Sequence, residues 1–155
     1  MKNFTNSLSR FVSLVAIGAM LATSAFAVTP AQEKAFIDGY KKAYENKDAK
    51  ALQAMLYSKG ANPMALDFYK EMIAADMGAT ITSIALVDLT AEDAKKLENG
   101  KGPDGKPMKM NLKPVKKLIL KTSTKSANGS STGSSESFVA EFEGKLVIPV
   151  PASGQ

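Results

Sequence analysis

The spacing of apolar residues changes near residue 78, from a helical period to strand-like alternation, which one short predicted helix interrupts, capped by Thr90 and Asp93 and running through Leu97. Thr29 and Gln32 form a capping-box pattern, and apolar residues then recur every three or four positions in three successive segments. The strand candidates are residues 80–89, 112–125, 138–143 and 145–150. Helices followed by hairpin-connected strands predict an α+β fold, in which the N-terminal helices pack on one face of a curved antiparallel sheet of about four strands.

Alternation within the strand candidates predicts which side chains reach the core. Even positions of residues 112–125, including Leu118 and Leu120, are expected to meet the helices. In the next strand we expect Phe138 to face the core and Val139 to face outward. The intervening residues 126–135 consist almost entirely of Ser, Gly and other small polar residues, which predicts a mobile loop tip.

The first 27 residues have the features of a secretory signal peptide. Lys2 and Arg10 precede an apolar run over residues 11–22, and Ala25 and Ala27 are the small residues that signal peptidase accepts. We expect cleavage before Val28, which leaves residues 28–155 as one domain in the periplasm or outside the cell. An uncleaved membrane anchor is the alternative. Lipoprotein anchoring is excluded because the chain has no cysteine.

Composition removes several kinds of chemistry. The chain contains no cysteine, histidine or tryptophan. Disulfides, thiolate nucleophiles, imidazole bases and metal sites built from Cys or His are therefore excluded, and no cofactor is expected. No catalytic motif can be matched to specific positions. After Arg10 the chain has no arginine, the usual residue for bidentate base and phosphate recognition, so specific nucleic-acid binding is not expected.

The middle of the chain concentrates the positive charge. Residues 95–125 hold 10 Lys against 2 acidic residues, whereas the whole chain has a formal net charge of +5. Four lysines share one face of the strand predicted there: Lys113, Lys117, Lys121 and Lys125. An open lysine face of this kind would attract an anionic polymer or lipid headgroups. The alternative is that Glu141 and Glu143, on the next strand, neutralise it.

Five aromatic residues on the first and third predicted helices are candidates for lining a pocket for a small apolar ligand. They are Phe36, Tyr40, Tyr44, Phe68 and Tyr69. Cavities in α+β domains are mostly apolar with a few hydroxyl groups, although the same row is equally typical of an ordinary core. Three nearby carboxylates would act as bases only if buried: Asp38, Asp67 and Asp76.

Two segments resemble the nuclear transport factor 2-like superfamily, which includes the SnoaL-like polyketide cyclases and the ketosteroid isomerases. Residues 36–56 (FIDGYKKAYENKDAKALQAML) are similar to its first two helices, and residues 138–150 (FVAEFEGKLVIPV) are similar to its terminal hairpin. The resemblance implies a cone-shaped α+β fold, a pocket inside the cone and a homodimer through the sheet. A cystatin-like arrangement of helix and four strands is the alternative.

Three functions agree with these features. The first is an exported binding or interaction module. The second is an isomerase, cyclase or dehydratase that uses tyrosine and carboxylates within the cone. The third is an envelope protein that associates with anionic polymer or lipid headgroups through its lysine-rich strand. A carboxylate buried beside a tyrosine in a cavity would distinguish the enzyme from the binding module.

Overall fold

The structure is a computed structural model that describes residues 28–75, 77–100, 107–126 and 129–152. The predicted signal peptide, residues 1–27, lies outside the described residues. The described helices are α1 (Pro30–Glu45), α2 (Ala49–Gln53), α3 (Pro63–Ala75) and α4 (Ala91–Asn99). The described strands are β1 (Leu56–Tyr57), β2 (Thr80–Asp88), β3 (Pro114–Ser126), β4 (Gly129–Phe142) and β5 (Lys145–Pro149).

The strands form one curved, open sheet in the order β1-β5-β4-β3-β2. All neighbouring strands are antiparallel except β1, which pairs parallel with β5. The predicted α+β fold is therefore confirmed, with five strands instead of about four. The additional strand, β1, has only two residues, so alternation could not reveal it.

Local signals explain where the helices begin. The Thr29 hydroxyl accepts from the Gln32 backbone amide, and the Gln32 side chain accepts from the Thr29 amide, which completes the predicted capping box. Asp48 caps α2 by accepting from the Ala51 amide at 3.0 Å. Among the described helices, none is long and apolar enough to cross a membrane.

The core lies between α1, α2 and one face of the sheet, which we call the inner face. α1 contributes the buried residues Phe36, Tyr40, Ala43 and Tyr44. They belong to the same buried cluster as Leu118 and Leu120 of β3 and Ile148 of β5. The prediction that even positions of β3 face the core is confirmed.

The prediction of a loop at residues 126–135 is wrong for most of that segment. β3 extends to Ser126, and β4 begins at Gly129, so residues 129–135 pair with the end of β3. Gly133 lies opposite Thr122, where an added Cβ would come within 2.9 Å of the Thr122 hydroxyl oxygen. The small residues here allow two paired strands to approach each other closely. A loop has a similar composition, so composition alone does not distinguish the two.

The predicted facing of β4 is also wrong. Val139 is fully buried in the core, and Phe138 is only half-buried. Phe138 pairs with Lys117. Lys117 is next to Leu118, which faces inward, so Lys117 and its partner Phe138 both point to the outer face. A register shift between Pro114 and Lys116 marks a bulge, so the alternation cannot be carried unchanged from one end of the hairpin to the other.

Candidate functional site

The half of the β3–β4 hairpin that lies next to the β3–β4 connection forms one wall of an open concavity, which we call the hairpin groove. The opposite wall is the end of α3 and the connection that leads to β2. The groove has a volume of about 460 Å³, within the range of small-molecule sites. Its lining residues are Ala75, Met77, Gly78, Ala79, Thr122, Thr124, Ser131, Thr132 and Gly133.

Hydroxyl groups dominate the chemistry of the strand wall. Thr124 pairs with Ser131 across the hairpin, and Thr122 pairs with Gly133. Because the two pairs are two residues apart along each strand, they lie on the same face of the sheet. Thr122 is buried, whereas Thr124 and Ser131 are exposed to solvent. Hydroxyls both donate and accept hydrogen bonds. The wall can therefore bind a polar ligand without fixing the sign of its charge.

The other wall combines small residues with one flexible apolar side chain, Met77. Gly78 has a φ of 109°, a conformation that favours glycine. Lys47 lies beside it: its Nζ atom is 3.7 Å from the position that a Cβ on Gly78 would occupy. A cationic group thus lies at this side of the groove. None of the lining residues that the structure describes is titratable.

The five aromatic residues that were predicted to line a pocket differ in burial. Phe36, Tyr40 and Tyr44 follow one another along α1, with ring centroids 6.3 Å apart in each successive pair, and all three are buried in the core. Tyr69 packs against that core, and burial raises the pKa of its phenol. Phe68 is instead 61% exposed. The five side chains do not line the hairpin groove.

The predicted acid–base carboxylates have different surroundings from those that a catalytic base requires. Asp38 is exposed and forms an ion pair with Lys34, and Asp67 is exposed and paired with Lys70 at 3.0 Å. Asp76 lies outside the described residues. Neither Asp38 nor Asp67 lines the groove.

The four predicted surface lysines do not form one continuous track. Lys121 and Lys125 are exposed on the outer face. Lys117 contacts Asp93 of α4 at 3.0 Å and Glu136 of β4 at 3.2 Å, so its charge is already paired. Lys113 precedes β3, and the bulge that follows it interrupts the alternation. The alternative named Glu141 and Glu143 as the neutralising residues, but the carboxylates that contact Lys117 are Asp93 and Glu136, and the Glu141 Oε1 accepts from the Gly144 amide.

The Lys117 contact belongs to a compact cluster that fastens α4 to the sheet. Asp93 accepts hydrogen bonds from the backbone amide of Thr90 at 2.9 Å and from its hydroxyl at 2.8 Å, as well as from Lys117. These bonds, with the Thr90 amide the largest contributor, lower the pKa of Asp93 to about 2 from its ordinary 3.8. The cluster is therefore a structural attachment of α4.

Asp93 should contribute to the loss of stability in acid. Because its folded-state pKa is lower than its ordinary value, its contribution is fully present above about pH 5 and is lost as pH falls from about 4 to about 2. Thermal unfolding measured between pH 2 and pH 7 should show a shallower acid decline for Asp93→Asn than for the wild type. Asp38→Asn is the control for removal of an exposed carboxylate. Parallel acid declines for wild type and Asp93→Asn would contradict the assignment.

Sequence reasoning missed the strand wall of the groove because it assigned residues 126–135 to a loop. One signal was present: Thr122 and Thr124 alternate on a strand of high β-propensity, and a strand of that length needs a partner. The other wall depends on how α3 lies relative to the hairpin, which no local pattern specifies.

Comparison with known proteins gives no match to a protein family, a curated protein or a solved structure. The likeness to the nuclear transport factor 2-like superfamily accordingly stays a prediction. Within the described ranges, no three His, Cys, Asp or Glu side chains are grouped so that they could hold a metal ion.

Proposed function

We propose that this protein is a small exported binding module and that the hairpin groove holds a small polar ligand rich in hydroxyl or carbonyl groups. One observation carries the proposal: a concavity of about 460 Å³ whose strand wall presents threonine and serine hydroxyls. Such groups exchange hydrogen bonds with a ligand's own hydroxyls and carbonyls. Lys47, beside Gly78, adds a donor for a carbonyl or other acceptor oxygen.

Binding accounts for the groove better than catalysis does. General acid–base chemistry commonly needs an acid and a base within hydrogen-bond reach of the substrate, and among the described residues at the groove only Lys47, beside Gly78, is titratable. The tyrosines expected in an isomerase-like cone, Tyr40 and Tyr44, belong to the packed core. A cyclase, isomerase or dehydratase therefore has no supporting contact among the described residues.

Export is proposed from the sequence of residues 1–27, with its basic start, apolar run and Ala25–Ala27 cleavage pattern. Association with anionic polymers is the weaker alternative. Of the four lysines on which that hypothesis depended, Lys121 and Lys125 remain exposed on a common strand, Lys113 is exposed before that strand, and Lys117 is paired with two carboxylates. Three exposed lysines that do not form one continuous track give only weak, salt-sensitive attraction.

Saturation-transfer difference NMR with glucose and N-acetylglucosamine tests the proposal on the wild-type protein and two variants. Ala75→Trp places an indole in the groove from an exposed position at the end of α3. Ala94→Trp places the same side chain at an exposed position on α4, away from the groove. We expect millimolar binding, about −4 kcal/mol, by the wild type and Ala94→Trp, and loss of the transfer signal in Ala75→Trp.

Equal signals in all three proteins would place the sugars outside the groove and contradict the proposal. Absence of a signal from the wild type with both sugars would contradict the assigned ligand chemistry. The dye 8-anilinonaphthalene-1-sulfonate serves as an apolar comparison, because an apolar site would bind the dye more tightly than either sugar.

A further inference from the structure

α3 presents an apolar stripe to solvent. Met64 is 74% exposed, Phe68 61% and Met72 43%, and Val115 is the only other large apolar residue with notable exposure in the described part of the chain. The spacing of four places the three side chains along one face of the helix, over about 12 Å. We call this surface the α3 stripe.

The stripe is not the face by which α3 is attached to the domain. Ile73 belongs to the buried core, and Leu66 packs against it from the side of the helix opposite Phe68. The Gln53 side-chain amide also donates to the Lys70 carbonyl from α2 at 3.4 Å. α3 is therefore anchored on one side and presents Met64, Phe68 and Met72 on the other as a preformed surface.

The two flanks of the stripe differ in charge. By helix geometry, Glu71 lies about 60° and Asp67 about 100° to one side of Phe68. Both carboxylates are exposed, but Asp67 is paired with Lys70 at 3.0 Å, so the negative charge of this flank comes mainly from Glu71. The other flank, at similar angles, consists of Ala65 and Tyr69, which carry no charge at neutral pH. The surface is thus an apolar strip with acid along one edge.

The size of the stripe argues against a second copy as its occupant. Three side chains of roughly 200 Å² each, about 60% exposed on average, offer roughly 350 Å², whereas a standard interface needs about 800 Å² from each partner. Antiparallel pairing of two α3 helices by a two-fold axis would also bring the Asp67 and Glu71 edges of both copies to the same side. The acidic edge likewise disfavours an anionic membrane surface.

We propose that the α3 stripe docks a cationic amphipathic helix of a partner protein. The apolar face of such a helix packs on Met64, Phe68 and Met72, and its lysine or arginine residues lie beside Glu71. A docked helix is recognised through apolar anchors at helical spacing, and Met64, Phe68 and Met72 recur at that spacing. Methionine side chains adapt to varied apolar surfaces, so the stripe selects for amphipathicity and charge more than for one sequence.

A synthetic 18-residue Leu/Lys peptide with helical amphipathic spacing is the probe, followed by fluorescence anisotropy at low and physiological salt. The control peptide has the same composition without helical spacing. We expect Phe68→Gln to weaken binding about tenfold or more. Glu71→Lys should weaken it several-fold and reduce its salt dependence, whereas Glu98→Lys, the same charge change on α4, should leave it unchanged. Circular dichroism verifies that each variant is folded.

Each other result overturns the proposal. If the peptide does not bind, or binds Phe68→Gln as well as the wild type, the stripe is not a helix-docking surface. Equal binding of the two peptides would show attraction by composition alone. If sedimentation shows a dimer that Phe68→Gln abolishes, the occupant is a second copy. If anionic phosphatidylglycerol vesicles bind through Phe68 while the peptide does not, the occupant is a lipid surface.

Discussion

Replacing Leu118 by alanine is expected to destabilise the protein by about 2–5 kcal/mol. Leu118 is buried on the inner face of β3, within the same cluster as Tyr44 of α1 and Val139 of β4. Truncation removes apolar contacts and leaves a cavity between a helix and two strands that cannot close without moving backbone. Urea unfolding of wild type and variant measures the difference directly.

Two substitutions on β4 show whether the observed register is correct. Val139→Thr should lower the free energy of unfolding by about 1–3 kcal/mol, because it buries a hydroxyl group in the apolar core without a hydrogen-bond partner. Phe138→Ala should cost less than Leu118→Ala, since Phe138 is only half-buried on the outer face. A neutral Val139→Thr together with a Phe138→Ala cost equal to that of Leu118→Ala would show that β4 presents its other face to the helices.

Replacing Asn111 by alanine is expected to cost about 2–4 kcal/mol, the second large effect. Its side-chain amide donates to the carbonyls of Tyr57 at 2.6 Å and Lys59 at 3.1 Å, and its Oδ1 accepts from the Val150 amide at 2.9 Å. Asn111 therefore ties the chain before β3 to β1 and to the residue after β5. Its removal leaves the buried Val150 amide without this partner. Urea unfolding again gives the magnitude.

Asn99→Ala is the matched control for this experiment. The Asn99 amide makes a single hydrogen bond to the Lys95 carbonyl at 3.0 Å on an exposed part of α4. We expect a change of about 0.5 kcal/mol or less there, as for most surface substitutions. If Asn111→Ala costs no more than Asn99→Ala, Asn111 does not connect the three segments in solution.

Features encoded by short-range chemistry could be predicted from the sequence. The capping pairs Thr29–Gln32 and Thr90–Asp93 form as expected, because side chain and backbone three residues apart meet in any helix start. Gly144, a glycine between two alternating segments, has a positive φ of 79° in the β4–β5 turn, as its position favours. The inward face of β3 could also be predicted, because Leu118 and Leu120 occupy even positions while most of the lysines of this segment occupy odd positions.

Features that depend on tertiary neighbours could not be predicted in the same way. α3 has apolar residues at both Phe68 and Tyr69, and at both Met72 and Ile73, so helical spacing alone does not identify its inward face. In the structure Ile73 belongs to the core and Tyr69 packs against it, whereas Phe68 and Met72 are exposed to solvent. For β4, pairing with β3 overrides the loop-like composition of its first residues, and the register that sets Val139 opposite Lys116 places Val139 on the inner face.

Amide shift mapping by two-dimensional ¹⁵N–¹H NMR with N-acetylglucosamine tests the binding-site assignment most directly. We expect the largest shifts at Met77–Ala79 on one wall of the hairpin groove, and at Thr122, Thr124 and residues 131–133 on the other. The chemical-shift changes of these amides should follow one binding curve as N-acetylglucosamine is added, and they should be absent in Ala75→Trp. Shifts concentrated at Lys121 and Lys125, or along Met64, Phe68 and Met72, with no response from residues 131–133, would contradict the account.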